Sequence, residues 1–161
     1  MCGIAGFINP RFNEDAKRDL TCKMLDKIAH RGPDATNMYV DDLVALGHNR
    51  LKIIDLSDEA NQPFEYDDVV LVFNGEIYNY IEIKAELEKA GYKFRTQSDT
   101  EVVCAAYKKW GEGCVKYFMG MWSFALWDKK IKKLFCSRDR FGIKPFYYFV
   151  LGETFYFGSE Y

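Results

Sequence analysis

Cys2 follows the first methionine directly, in Met1-Cys2-Gly3-Ile4-Ala5-Gly6, and that position can give a thiol a base on its own residue. With Met1 removed, the α-amine of Cys2 titrates near roughly 7.7 to 8.0, so around neutrality a useful fraction is free to take the thiol proton. No histidine is then required. Position alone equally suits a cysteine that opens a buried strand, because cysteine is among the residues most often found inside.

Cleaving an amide through a thiol also needs donors aimed at the oxygen of the tetrahedral intermediate. Asn74-Gly75, at the end of the apolar run Val69 to Phe73, offers the Asn74 side-chain amide and the Gly75 backbone N–H. By itself the Asn-Gly dipeptide spells a plain turn. Arg50 matches a carboxylate and Asp99 an ammonium, so the two suit the charged ends of an amino acid. Glu76 adds a second acid beside the Asn-Gly pair. Each residue also has an ordinary reading: Arg50 as a solvated or paired cation, Asp99 as an acid offsetting a helix macrodipole, Glu76 as a surface acid. His48 is a candidate base in a cysteine-histidine scheme, although packed structural histidines are commoner. His30 and Arg31 precede Gly32-Pro33 in a loop, where functional residues concentrate. Cys22, Cys104, Cys114 and Cys136 read as small core hydrophobes.

These residues need elements to hold them. Cys2 to Ile8 reads as a short strand carrying Gly3 and Gly6, closed by Asn9-Pro10. Leu20, Met24, Leu25 and Ile28 recur at helical spacing over Asp15 to Ala29, ahead of a turn at His30 to Asp34. Met38 to Val40 and Leu43 to Leu46 flank Asp41-Asp42 as a hairpin. Val69 to Phe73 is a buried strand that stops at Asn74-Gly75. Tyr80, Ile83, Leu87 and Ala90 predict a helix ending at Gly91. Ser98-Asp99-Thr100-Glu101 has capping-box spacing before a helix that buries Val102, Val103, Ala106, Tyr107 and Trp110. Met121 to Trp127, Lys133 to Ser137, Phe146 to Val150 and Thr154 to Phe157 read as strands whose short spacing predicts antiparallel pairing of neighbours. Strands, helices and strands again suggest two antiparallel sheets with helices outside.

At 161 residues the chain suits one domain, spanning 1–161, with a single sizeable core. Its 22 basic and 24 acidic residues, without long runs of either sign, lack the footprint of a nucleic-acid or membrane-surface binder. No apolar stretch reaches the roughly 20 residues of a membrane helix and no signal peptide is evident, so the cytoplasm is the expected location. Five widely spaced cysteines fit reduced thiols, and neither cysteines nor the two histidines have ligand spacing, so no metal site is expected.

The chain resembles the glutaminase domain of glutamine-hydrolysing asparagine synthetases, a class II glutamine amidotransferase of the N-terminal nucleophile hydrolase type. The resemblance spans nearly the whole chain. It rests on Met1-Cys2-Gly3-Ile4, His30-Arg31-Gly32-Pro33-Asp34, His48-Asn49-Arg50-Leu51, Gln62-Pro63, Phe73-Asn74-Gly75-Glu76-Ile77-Tyr78-Asn79, Ser98-Asp99-Thr100-Glu101 and the segment Ser137 to Pro145. It implies an α+β fold, a four-layer αββα sandwich of two antiparallel sheets between helices. It makes Cys2 the nucleophile with its amine as base, Asn74 and Gly75 the oxyanion hole, Arg50 the carboxylate anchor, and Asp99 with Glu76 the ammonium site. The implied substrate is L-glutamine, with no cofactor for this domain. The implied partner is a synthetase domain that uses ATP and aspartate; the sequence lacks one, so a domain of a longer protein is expected. The rival reading is a catalytically silent module that binds glutamine or docks onto a synthetase.

A retained Met1 would bury the proposed base in a peptide bond. Protein shown by intact mass to keep Met1 is expected to be nearly inactive in ammonia release from glutamine, and protein beginning at Cys2 active.

Overall fold

In the computed structural model, which describes residues 1–161, the chain forms in order β1 (Gly3–Ile8), α1 (Glu14–Lys27), β2 (Ala35–Val40), β3 (Val44–Arg50), β4 (Phe64–Tyr66), β5 (Val69–Ile77), α2 (Tyr80–Lys89), α3 (Asp99–Trp110), β6 (Gly120–Asp128), β7 (Lys133–Arg138), β8 (Tyr147–Leu151) and β9 (Thr154–Gly158). One sheet has the order β2-β3-β1-β9-β8 and the other β4-β5-β6-β7. Every strand pairing is antiparallel.

Alternation along the strands sorts the apolar side chains into layers. Ile4, Val44 and Leu46 of the first sheet meet Val70, Val72, Ala125 and Trp127 of the second, and this cluster fills the space between the sheets. The intervening residues face outward: Val69, Leu71, Phe73, Phe124 and Leu126 pack under α2 and α3, while Ala5 meets Leu25 of α1 and Ile28 beyond it. Each fully buried large side chain contributes roughly 1.5–3 kcal/mol over an exposed one. The result is helix, sheet, sheet, helix, the αββα order expected. No helix is long and apolar enough to cross a membrane.

Four local expectations change. Asn74-Gly75 is not a turn but part of β5, which continues to Ile77, with Asn74 opposite Ser123 and Gly75 opposite Trp122. The ladder to β6 outweighs the dipeptide's local preference. The neighbours β7 and β8 do not pair, because the chain crosses between sheets from Asp139 to Phe146. Cys22 is exposed on α1, whereas Cys104 and Cys114 are buried and Cys136 partly so. The capping box is half formed: Ser98 Oγ accepts from Glu101 N–H at 3.3 Å, but the Glu101 carboxylate reaches past Ser98 to the N–H groups of Arg95 and Thr96 and the Thr96 hydroxyl.

Gly75 makes a close strand contact beside the site. A Cβ there would lie 2.3 Å from the Met121 carbonyl oxygen and 2.7 Å from the Trp122 Cα, both backbone atoms of the paired strand. Gly75→Ala is expected to destabilise the fold by at least roughly 1–3 kcal/mol, the range for overpacking, measurable by urea unfolding.

Candidate active site

The antiparallel pairing of β1 with β3 puts Gly3 opposite Asn49, so the residue before β1 lies beside the residues that end β3. Cys2 Sγ accordingly sits on the Leu51 backbone, donating to its carbonyl at 3.5 Å and accepting from its N–H at 3.4 Å. The turn after α1 fixes the nucleophile's own backbone. Arg31 Nε donates to the Cys2 carbonyl at 3.0 Å, and Arg31 is paired with Glu160 at 3.0 Å, which also meets His30 at 2.9 Å. Gly32 permits this packing, since a Cβ there would lie 2.3 Å from the Asn49 carbonyl oxygen. The His30-to-Asp34 motif thereby clamps the mouth of the β1–β3 pair.

From the second sheet and its helices come the remaining groups. Cys2, Arg50, Gly75, Glu76 and Asp99 line one cleft. Asn74 does not line it: its side chain is buried, and its Nδ2 has no hydrogen-bond acceptor. Five of the six residues singled out in the sequence therefore converge, and the sixth is adjacent in β5. Arg50 is 4 % exposed. Its Nη1 donates to the Ser57 carbonyl and to Asn61 Oδ1, both at 2.7 Å, and its Nη2 to the Asp55 carbonyl. Arg50 thus secures the loop that follows Leu51, with three of its five N–H donors engaged.

Asp99 opens α3 and is 4 % exposed. Its Oδ2 accepts from the Ile77 N–H at 3.0 Å, tying α3 to the end of β5. Burial pushes its carboxyl up to about 6, helped by the nearby Glu76 charge and opposed by backbone N–H donors. Burial likewise raises the Cys2 thiol, more than the Leu51 N–H, the terminal amine and Arg50 lower it. With Met1 attached, the thiol is a protonated, weak nucleophile.

His48 is not the base. It faces the space between the sheets, fully buried, and burial lowers it to about 3, so its ring is neutral. Its Nε2 lies 3.2 Å from the Phe73 carbonyl oxygen; because a carbonyl only accepts, Nε2 carries the proton. The ring is a strut between the two sheets beside the cleft. Gln62 makes a similar link, its Oε1 accepting from the Phe73 N–H at 2.6 Å and its Nε2 donating to Thr100 Oγ1 at 3.3 Å. Sequence reasoning missed Leu51, which acts through its backbone, and gave Arg31 no role. Arg31 had a signal in the motif it shares with Gly32-Pro33; a backbone contact has none.

Two antiparallel sheets between helices, with a cysteine at the head of the central strand of one sheet, define the N-terminal nucleophile type of amidotransferase fold. The chain belongs to the glutamine amidotransferase domain family, whose profile matches residues 1–161. It is 43% identical over 164 residues to asparagine synthetase (glutamine-hydrolyzing) 1 of Bacillus subtilis, covering 99% of this chain and 26% of that protein. It is 44% identical over 163 residues to amidase chry2 of Gibberella zeae, covering 93% of this chain and 24% of that one. The chain thus spans about a quarter of the length of these relatives. The fold matches the glutamine phosphoribosylpyrophosphate amidotransferase of B. subtilis with a TM-score of 0.82 at 20% identity, covering 98% of this chain and 42% of that chain.

Asp99 has a stability cost that can be measured. Its folded value of about 6 lies above its ordinary 3.8. Below the lower value both folded and unfolded chains carry the proton and no penalty exists; above the upper value the full penalty applies, roughly 3 kcal/mol for a shift of about two units. Asn at this position can still accept from Ile77 and avoids the buried charge. Asp99→Asn is expected to gain up to about 3 kcal/mol of unfolding free energy at pH 7.5, fading toward pH 4, while glutamine turnover falls.

Proposed function

We propose that this chain, once it begins at Cys2, hydrolyses the side-chain amide of L-glutamine to glutamate and ammonia. The observation that carries this reading is the convergence of a strand-head thiol, two carboxylates and a guanidinium in one cleft at the ends of both sheets.

The Cys2 amine takes the Sγ proton as Sγ attacks the amide carbon, forming the C–S bond and an oxyanion. The Gly75 N–H and the Asn74 Nδ2, a buried donor without an acceptor, are the oxyanion donors of this reading. The resulting Cys2 ammonium returns its proton to the departing nitrogen as the C–N bond breaks. Ammonia leaves a thioester, which water then hydrolyses with the amine again as base. Asp99 and Glu76 hold the substrate ammonium, and the two unengaged N–H donors of Arg50 remain for its carboxylate. Nucleophile, base and oxyanion donors all come from polypeptide, so this step calls for no cofactor.

The ammonia would serve a synthetase component, which on this reading activates aspartate with ATP; the B. subtilis relative is a glutamine-hydrolyzing asparagine synthetase by name. Surface apolarity favours such a neighbour. Edge strand β8 exposes Tyr147, Tyr148, Phe149, Val150 and Leu151, and beside it an apolar groove runs between Tyr156 and Met24 of α1. Exposed apolar edges of this length are usually covered. The rival, a silent glutamine-binding module, predicts affinity without ammonia release.

In protein verified to begin at Cys2, Cys2→Ala is expected to abolish ammonia release. Asn74→Ala should lower kcat roughly 10²- to 10³-fold, the effect of one oxyanion donor. Unchanged turnover in either variant, by coupled ammonia assay, contradicts the reading.

A further inference from the structure

Lys144 is a buried cation without an anionic partner. It is 6 % exposed, and no carboxylate comes within ion-pair distance of its ammonium. Lysine is rarely buried this way. Its Nζ ends instead on the first residue of the chain, 3.2 Å from Met1 Sδ.

The loop that delivers it is firmly built. The Asp139 carboxylate accepts from the N–H groups of Trp122, Phe141, Ile143 and Lys144 at 2.9–3.2 Å, and these donors hold it below the usual carboxylate range against burial. Arg138 donates to the carbonyls of Gly142 and Lys144, both at 2.7 Å. Trp122 pairs with Gly75, so this loop is anchored beside the candidate oxyanion donor. The Lys144 side chain thereby reaches the chain terminus from the loop that joins the two sheets.

We propose that Lys144 is a positioning residue whose ammonium faces the α-amine exposed by loss of Met1 and holds that amine in its neutral, proton-accepting form. The inference rests on the reading of Cys2 as an N-terminal nucleophile. Two like charges at close range disfavour protonation of the weaker base. The effect helps twice: more amine is free to accept the Sγ proton, and the ammonium formed gives up that proton more readily to the departing nitrogen. Other charges act on the same amine. Arg50, Glu76 and Asp99 line its cleft. Arg31 holds the Cys2 carbonyl, with Glu160 and His30 behind it, and Asp139 lies under the Lys144 backbone. These surroundings are common to every variant compared below, so the comparison isolates Lys144.

The test uses the full chain beginning at Cys2, as native protein, Lys144→Met and Lys144→Arg, with Lys144→Gln in reserve should the methionine variant not fold. The α-amine is titrated by NMR with ¹⁵N-cysteine labelling and no glutamine present, and the pH profile of kcat/KM for glutamine is recorded separately. Loss of the cation should raise the amine midpoint by about one pH unit, with the acid limb of kcat/KM following and arginine restoring the native position. Equal midpoints in all variants overturn the proposal, as does a higher glutamine KM with an unmoved acid limb, which would make Lys144 a substrate anchor. A shifted amine in protein that releases no ammonia upholds the Lys144 contact and rejects the glutaminase reading instead.

Discussion

The site depends on the register of β1 against β3. Gly3 opposite Asn49 is what brings Cys2 onto the Leu51 backbone and beside Arg50. Because strand side chains alternate with period two, a slip of one residue would turn Ile4 and Leu46 out of the core between the sheets and point every neighbouring side chain the wrong way. The apolar cluster that joins the sheets therefore also fixes where the thiol stands. Arg31 and Gly32 act on the same pairing from outside, one gripping the Cys2 carbonyl and the other fitting against Asn49.

The second constraint is the junction between sheets. The apolar layer ends near the cleft in buried polar groups: His48 spans from β3 to the Phe73 carbonyl, and Gln62 links the Phe73 N–H to Thr100 at the start of α3. A neutral histidine suits this place, since a charged ring buried between sheets would be costly. These contacts hold β5 and α3 in place, and with them Gly75, Glu76 and Asp99. Asp99 shows what such a site costs: a carboxylate in a dry helix start is poor for stability at neutral pH, yet it is the group proposed to meet a substrate ammonium. A buried charge retained at the expense of the fold fits a binding role better than a capping role, which Ser98 already performs.

Much of this organisation is legible in the residues. The alternating and helical apolar patterns mark nearly every element, and the order of strands and helices gives two sheets with helices outside. Helix α3 is marked at both ends, by Ser98 and Gly111. Where local signals mislead, a neighbouring strand is the cause. Asn74-Gly75 spells a turn to any short-range rule, but the ladder to β6 keeps it extended, and the close approach of Met121 and Trp122 gives the glycine its purpose. The separation of β7 from β8 follows from where Asp139 anchors its loop, a matter of six residues' hydrogen bonding and not of strand propensity.

The sequence by itself determined the types of group available: one thiol at the terminus, an amide-glycine pair after an apolar strand, and charges suited to both ends of an amino acid. Side-chain chemistry is a property of the residue and needs no fold. Tertiary structure alone decided that Cys2 meets Leu51, that His48 is a neutral strut, that Arg50 spends most of its donors on the loop beyond it, and that Lys144 reaches the terminus. Those facts are distances and burial between residues up to 143 apart in the chain, set by sheet register and by exclusion of water, neither of which any local stretch of sequence encodes.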